Sequence, residues 1–156
     1  MDILDFLVPS SLALHYEAAN SKDVITHLGG LLYDAGYVRE TFVDAALDRE
    51  SRLPTGLPLS GDVNAAIPHT EVEHVLKPGL AVATLSAPVL FQNMVSPEEG
   101  VPCQLVFVMA LDQPKAQIEM LQEIAGILQD PGCIKNLMSA NDFEDVRAAF
   151  MKVHSS

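Results

Sequence analysis

The sequence predicts an α/β fold: a three-layer α/β/α sandwich with a mixed, mainly parallel central sheet. Three observations carry this. Residues 104–111, QLVFVMAL, form a nearly unbroken apolar run, the pattern of a strand covered by helices on both faces. Amphipathic helical patterns bracket that run, over residues 20–33 and 41–52 before it and 115–129 after it. The order of strand-like and helix-like segments is mixed along the chain, which favours helices layered on a shared sheet. At 156 residues the whole chain, 1–156, reads as one domain, long enough to bury a substantial core.

Each element has its own signal. Residues 12–17 alternate loosely and read as a first strand. Asn20 or Ser21 can cap a helix running to about Tyr33, with Val24, Ile25, Leu28, Leu31 and Leu32 on one face. Gly29-Gly30 weakens it by roughly 1 kcal/mol per glycine relative to Ala, and close packing against a neighbour is one reason to keep them. Gly36 is a left-handed stop, and His27 lies toward the solvent side. The helix over 41–52 carries Phe42, Ala45, Ala46 and Leu47 as its apolar stripe. A turn at Lys77-Pro78-Gly79 precedes a strand over 80–85 and a short one over 89–91 after Pro88. Residues 96–102 read as a polar loop before the central strand. The helix over 115–129 turns Ile118, Leu121, Ile124, Ala125 and Leu128 inward, and Met109 and Met120 are core filler. A short helix over 134–138 follows Pro131, and Asn141 with Glu144 three residues on begins the last helix, to about Val153.

Composition excludes several function classes. Hydrophobic residues make up 49% and charged ones 19%, a globular balance. Nine Lys+Arg against 21 Asp+Glu give a net charge of −12, a field that repels nucleic-acid phosphate and anionic lipid. No apolar run is long enough to span a bilayer, and the acidic N-terminus lacks the basic segment of a secretory signal, so a cytoplasmic location without membrane insertion is expected. Cys103 and Cys133 suit neither a disulfide framework nor a zinc site and read as small buried apolar residues.

The chemistry is expected in residues 49–70, RESRLPTGLPLSGDVNAAIPHT. Proline pushes its predecessor to an extended conformation, so Ile67-Pro68 reads as the last step of a strand. His69 then stands just past a strand end on a rigid support, with its ring free to face solvent. An imidazole there can act as nucleophile, base or ligand. Pro-His alone favours the plainer reading, a surface loop histidine with no role. Arg49 is in the same position: spacing alone favours a solvated helix end, with the arginines suited to the helix dipole, over an anion clamp beside His69. Loops at strand C-termini are where sites form in such folds, which fits both His69 and the loop after Leu111.

Other chemistries fare poorly. A metal set of His69, Glu71, Glu73 and His74 places its histidines five apart, not the four that aligns two ligands on a helix face. His69-x-Glu71 with Pro102-Cys103 lacks the second cysteine of the zinc deaminase pattern, since Val106 stands there. There is no G-x-S-x-G elbow, Walker loop or G-x-G-x-x-G, so neither metal nor nucleotide cofactor is expected. What remains is a histidine acting by itself, and a lone imidazole suits the acceptance and onward passage of a phosphoryl group.

Arg49-Glu50, Thr55-Gly56 and Ala66-Ile67-Pro68-His69-Thr70 together resemble the motif of phosphotransferase-system IIA domains of the fructose–mannitol class (EIIA type 2). The resemblance runs through the central strand, the helix with Leu121 and the last two helices. Pro-His-Thr-Glu with His74-Val75-Leu76-Lys77-Pro78 is most similar to the galactitol-type members. The resemblance implies a phosphotransferase component in which His69 takes the phosphoryl group from phospho-HPr and passes it to a cysteine of a cognate IIB, and through it serves a membrane IIC. It also implies that Arg49 holds the phosphoryl oxygens and that Thr70 contributes a neighbouring hydrogen bond. Two departures stand out. Gln117 occupies the position of a second histidine in mannitol and fructose relatives, and an amide can hydrogen-bond phosphate but supplies no charge. Asn64 stands where many relatives carry glycine, a departure that bears on the local backbone and not on His69. The resemblance leaves open a regulatory member of the nitrogen-related type, or an interaction module that has lost transfer. It does not identify the sugar beyond galactitol or a related polyol. His15 and His154 carry no functional claim.

Overall fold

Along the two longest strands the side chains alternate between two apolar layers, as the period of two in an extended chain requires. In the computed structural model, which describes the backbone of residues 2–155 and the side chains of residues 2–151, these strands are β4 (Gly79–Gln92) and β5 (Gly100–Ala110). Leu80, Val82, Leu105, Phe107 and Met109 face one core, and Ala81, Ala83, Val106, Val108 and Ala110 face the other. The first core is closed by α3 (Pro114–Leu128), α4 (Pro131–Met138) and α5 (Phe143–Ser155); the second by α1 (Ser21–Asp34) and α2 (Phe42–Arg52). Residues 105–111 are at most 1% exposed, so the expected burial of this run on both faces is met. The architecture is the expected three-layer α/β/α sandwich. The side chain of His154 lies outside the described residues.

The sheet is mixed. Its strand order is β1-β4-β5-β3-β2, with β1 (Leu7–Tyr16), β2 (Gly56–Leu57) and β3 (Ala65–Ala66) completing it. β1 pairs parallel to β4 and β3 parallel to β5, whereas β4–β5 and β2–β3 are antiparallel. Parallel and antiparallel pairings are therefore balanced. The reason is the short β4–β5 connection at residues 93–99, in which Asn93 Oδ1 accepts from the Val95 and Ser96 N–H groups at 2.8 and 3.1 Å.

Several boundaries differ from expectation for identifiable reasons. β1 begins at Leu7, five residues early, because it is an edge strand and an edge tolerates Pro9 without losing a ladder bond. The two strands expected over 80–85 and 89–91 are one, with a register irregularity between Thr84 and Val89 that accommodates Pro88. Residues 100–102 belong to β5, paired with Leu90, Phe91 and Gln92, and not to the polar loop. The last helix is capped one residue later than expected: Asp142 Oδ1 accepts from Asp145 N–H at 2.8 Å, and Asp145 Oδ2 from Asn141 N–H at 3.0 Å. The Asn141 side chain turns instead to His15 Nε2, 3.1 Å away.

Other expectations are met. Asn20 caps α1, accepting from Asp23 N–H, and Gly36 adopts φ +84 past its end. A Cβ on Gly29 would come within 2.7 Å of Val43 Cγ2, so close approach of α2 accounts for that glycine. His27 is half-buried and stacks on Tyr16 at 4.4 Å between ring centroids. Cys103 and Cys133 are buried, and burial pushes their thiols up to about 12 and about 11, so neither offers a thiolate near neutrality. Among the described residues no helix is long and apolar enough to cross a membrane.

Candidate active site

His69 is delivered by the strand ladder. Met109 N–H donates to Pro68 O at 3.1 Å, and an isolated parallel bridge joins His69 to Met109, so the pairing of β3 with β5 continues past the proline. The histidine thus lies at the C-terminal ends of β3 and β5, and the exit of β5 leads into α3 and Gln117. This is the strand-end location expected of a site in a covered sheet.

The ring is 9% exposed, a correction to the expectation that it faces solvent freely. Its Nδ1 lies 2.8 Å from the carbonyl oxygen of Ile67. A carbonyl can only accept, so Nδ1 carries the proton and the neutral ring keeps its lone pair on Nε2. Burial pushes the pKa below 6.5, the Ile67 hydrogen bond opposes this, the Arg49 charge adds to the lowering, and Glu71 works against it. Burial therefore favours the neutral imidazole.

Arg49, in the last turns of α2, approaches from the side. Nη1 donates to Glu71 Oε1 at 3.1 Å, while Nε–H is buried with no hydrogen-bond partner. A buried donor without an acceptor is uncommon, because it forfeits its bond to water. One edge of the guanidinium is therefore tied to a carboxylate, and the Nε–H edge is enclosed without a partner.

Glu50 faces the β2 side. Its Oε2 accepts from Thr55 N–H at 2.7 Å and its Oε1 from Thr55 Oγ1–H at 2.8 Å. Thr55 Oγ1 in turn accepts from Ile67 N–H at 3.1 Å. The next residue, Gly56, runs so close to the end of β4 that a Cβ would fall 2.6 Å from the carbonyl oxygen of Gln92. Glu50, Thr55 and Gly56 thereby form one brace behind the His69 segment.

The remaining candidates are placed as follows. The Thr70 hydroxyl donates to Glu71 O at 2.9 Å, so it engages the loop backbone and not the imidazole. Gln117 Nε2 donates to Thr70 O at 2.6 Å, tying α3 to the same loop. His74 does not join His69: its Nδ1 contacts Thr41 Oγ1 at 2.8 Å. Among the described residues no group of three or more His, Cys, Asp or Glu could hold a metal ion. Asn64 needs no left-handed backbone. Its Oδ1 accepts from Leu59 N–H at 2.9 Å and its Nδ2 donates to Pro102 O at 3.0 Å, which replaces a glycine turn with side-chain bracing.

Sequence reasoning treated Glu50 and Thr55 as letters of a motif, without a role. The signal available was their spacing of five, which places a helix-end carboxylate against the next loop's hydroxyl.

Comparison with known proteins gives four findings. The family model described as phosphoenolpyruvate-dependent sugar phosphotransferase system, EIIA 2, matches residues 5–153. The chain is 29% identical over 118 residues to the galactitol-specific EIIA component of Escherichia coli K12, covering 76% of this chain and 77% of that one. It is 30% identical over 143 residues to the mannitol-specific EIICBA component of Vibrio cholerae, covering 90% of this chain and 21% of that protein. Among solved structures, the mannitol IIA of E. coli in complex with phosphorylated mannitol IIB superposes with a TM-score of 0.77. That pair is 27% identical and covers 94% of this chain and 97% of the other.

Proposed function

The chain belongs to the EIIA type 2 family of the phosphoenolpyruvate-dependent sugar phosphotransferase system, and on that premise we propose that His69 is its phosphoryl carrier. Members of this family are phosphotransferase components that work through a phosphohistidine intermediate. One observation carries the assignment to His69. A neutral imidazole, with Nδ1 committed to a carbonyl, stands within the field of a guanidinium whose Nε–H is buried and unpaired.

Chemically, the lone pair of Nε2 attacks the phosphorus of phospho-HPr in line, and the N–P bond to His69 forms as the donor's N–P bond breaks. The proton on Nδ1 stays in place. Phosphorylation at Nε2 makes the ring cationic, and the carbonyl of Ile67 stabilises that charge. The Arg49 guanidinium takes a phosphoryl oxygen through a charge-assisted hydrogen bond. In the second transfer a cysteine sulfur of the cognate IIB forms the S–P bond, the N–P bond breaks, and His69 returns to its neutral form.

Apolar side chains flank the site-bearing residues. Leu53, which follows α2, is 51% exposed, and Ile118, next to Gln117 and expected to turn inward, is 59% exposed; exposed apolar side chains of this kind suit docking of a protein donor and acceptor. Similarity to a galactitol-specific component supports galactitol or a related polyol as the sugar served, through a membrane IIC and in the cytoplasm. The test uses enzyme I, HPr and phosphoenolpyruvate. Wild-type protein takes up acid-labile phosphate and the His69→Ala variant does not; equal labelling of both removes the assignment.

A further inference from the structure

We propose that Glu50 and Thr55 are positioning residues for the reaction, a relay that sets the tautomer and aim of His69 through the backbone of Ile67. The inference rests on His69 being the carrier. Its basis is a chain of four hydrogen bonds with a single direction. Thr55 N–H and Thr55 Oγ1–H both donate to Glu50, at 2.7 and 2.8 Å, and use both carboxylate oxygens. The hydroxyl proton is thereby committed, so Oγ1 presents only lone pairs to Ile67 N–H, 3.1 Å away. Ile67, held by its N–H, presents its carbonyl to Nδ1 of His69 at 2.8 Å. Each group has one remaining role once its predecessor is fixed, and the end of the chain is a lone pair on Nε2.

The chemistry of the linked residues suits the task. Ile67 and Thr55 are 2% and 3% exposed, so water does not compete for these bonds. The carbonyl that receives Nδ1–H belongs to the Ile67–Pro68 peptide, whose own nitrogen carries no hydrogen, so that peptide has no donor with which to anchor itself. Its orientation is fixed on one side by Ile67 N–H, and hence by Thr55, and on the other by the bond from Met109 N–H to Pro68 O. Accepting on both oxygens requires Glu50 as a carboxylate; a neutral amide at that position has one accepting oxygen and loses one of the two bonds. The family motif places an acid and a hydroxyl here, and the geometry supplies what they do together.

The test is nitrogen-15 NMR of His69 together with single-turnover phosphoryl transfer from phospho-HPr, on Thr55→Val, Thr55→Ser and Glu50→Gln. Wild type is expected to show the Nδ1–H tautomer. Thr55→Val removes the acceptor for Ile67 N–H, and should populate the Nε2–H tautomer and slow transfer on the order of tenfold, as for loss of one buried hydrogen bond. Thr55→Ser should restore both. Glu50→Gln should shift the His69 signals in the same direction as Thr55→Val by a smaller amount, with transfer slowed about threefold. Should Thr55→Val fail to fold, Glu50→Gln decides alone. Wild-type tautomer and rate in the folded variants would overturn the relay. A loss of thermal stability without change at His69 would also overturn it. Failure of this inference is distinct from failure of the carrier assignment, because the latter appears in wild type as phosphate on a residue other than His69.

Discussion

Replacing Arg49 by methionine separates a residue kept for function from one kept for stability. Methionine keeps much of the aliphatic stem, so packing along it changes little. In the free protein the substitution removes two things. One is the ion pair to Glu71, whose partners are 25% and 46% exposed and which contributes no more than about 1 kcal/mol. The other is a buried Nε–H without an acceptor, which costs about 1–3 kcal/mol of desolvation. The net expectation is a folded state between unchanged and about 3 kcal/mol more stable. Transfer behaves in the opposite way. A hydrogen bond from a charged donor to the phosphoryl group contributes about 1.5–3 kcal/mol, so its loss slows phosphorylation by roughly 10- to 100-fold. Urea unfolding and single-turnover labelling from phospho-HPr measure the two quantities on the same preparation. A variant that unfolds several kcal/mol more easily, yet accepts phosphate at the wild-type rate, would refute the reasoning.

The other expectations follow from the same geometry. Burial holds His69 below 6.5 in the folded state, so below that pH the unfolded chain binds the proton more readily. Its contribution to stability is complete above pH 6.5 and falls as the pH drops through the folded-state value. Comparing wild type with His69→Gln across pH should show this, and an NMR midpoint for His69 above 6.5 would contradict it. Gln117→Leu removes the 2.6 Å bond to Thr70 O, and should lower stability by about 1 kcal/mol with transfer slowed a few-fold; thermal unfolding and labelling report on both. Gly56→Ala brings a Cβ within 2.6 Å of Gln92 O, a backbone atom that cannot swing away, and should destabilise by about 1–3 kcal/mol in urea. Glu71→Gln frees the guanidinium edge that the carboxylate now occupies. It should raise the phosphorylated fraction at equilibrium with HPr by a factor of about two to five.

Much of the fold is legible in the sequence where burial dictates pattern. The run through Phe107 and Val108 announces a central strand because both faces are covered, and the 3.6 periodicity marks the inner face of α1. In α3 it places Ile124 and Leu128 correctly, but Ile118 and Ala125, expected inward, are exposed, and Met120 and Ile127 share the buried face instead. Legibility fails where tertiary context overrides local signals. Pro9 reads as a break, but an edge strand has no ladder bond there to lose. Pro88 reads as a strand start, but a register irregularity absorbs it. At the start of α5 the pairs Asn141 with Glu144 and Asp142 with Asp145 offer two caps one residue apart; the second forms, while the Asn141 side chain meets His15, a contact distant in sequence.

The site divides in the same way. Proline before histidine predicts a strand end, and the ladder through Pro68 O bears that out. The depth of His69 was not readable, because it depends on helices far away in sequence. Nor could the role of Glu50 be read, since the bonds to Thr55 form only when the chain turns from α2 into β2. Gln117 illustrates the limit of motif reasoning. The amide that stands for a histidine in relatives donates to the Thr70 carbonyl, a contact that no spacing rule foretells.

The central claim is that Nε2 of His69 carries the phosphoryl group while Nδ1 keeps its proton against the Ile67 carbonyl. Phosphorus-31 and nitrogen-15 NMR of the protein phosphorylated by enzyme I, HPr and phosphoenolpyruvate tests it most directly. The prediction is one acid-labile phosphohistidine at residue 69, with the N–P coupling on Nε2 and a retained Nδ1 proton. Coupling on Nδ1, or phosphate on any other residue, would contradict it.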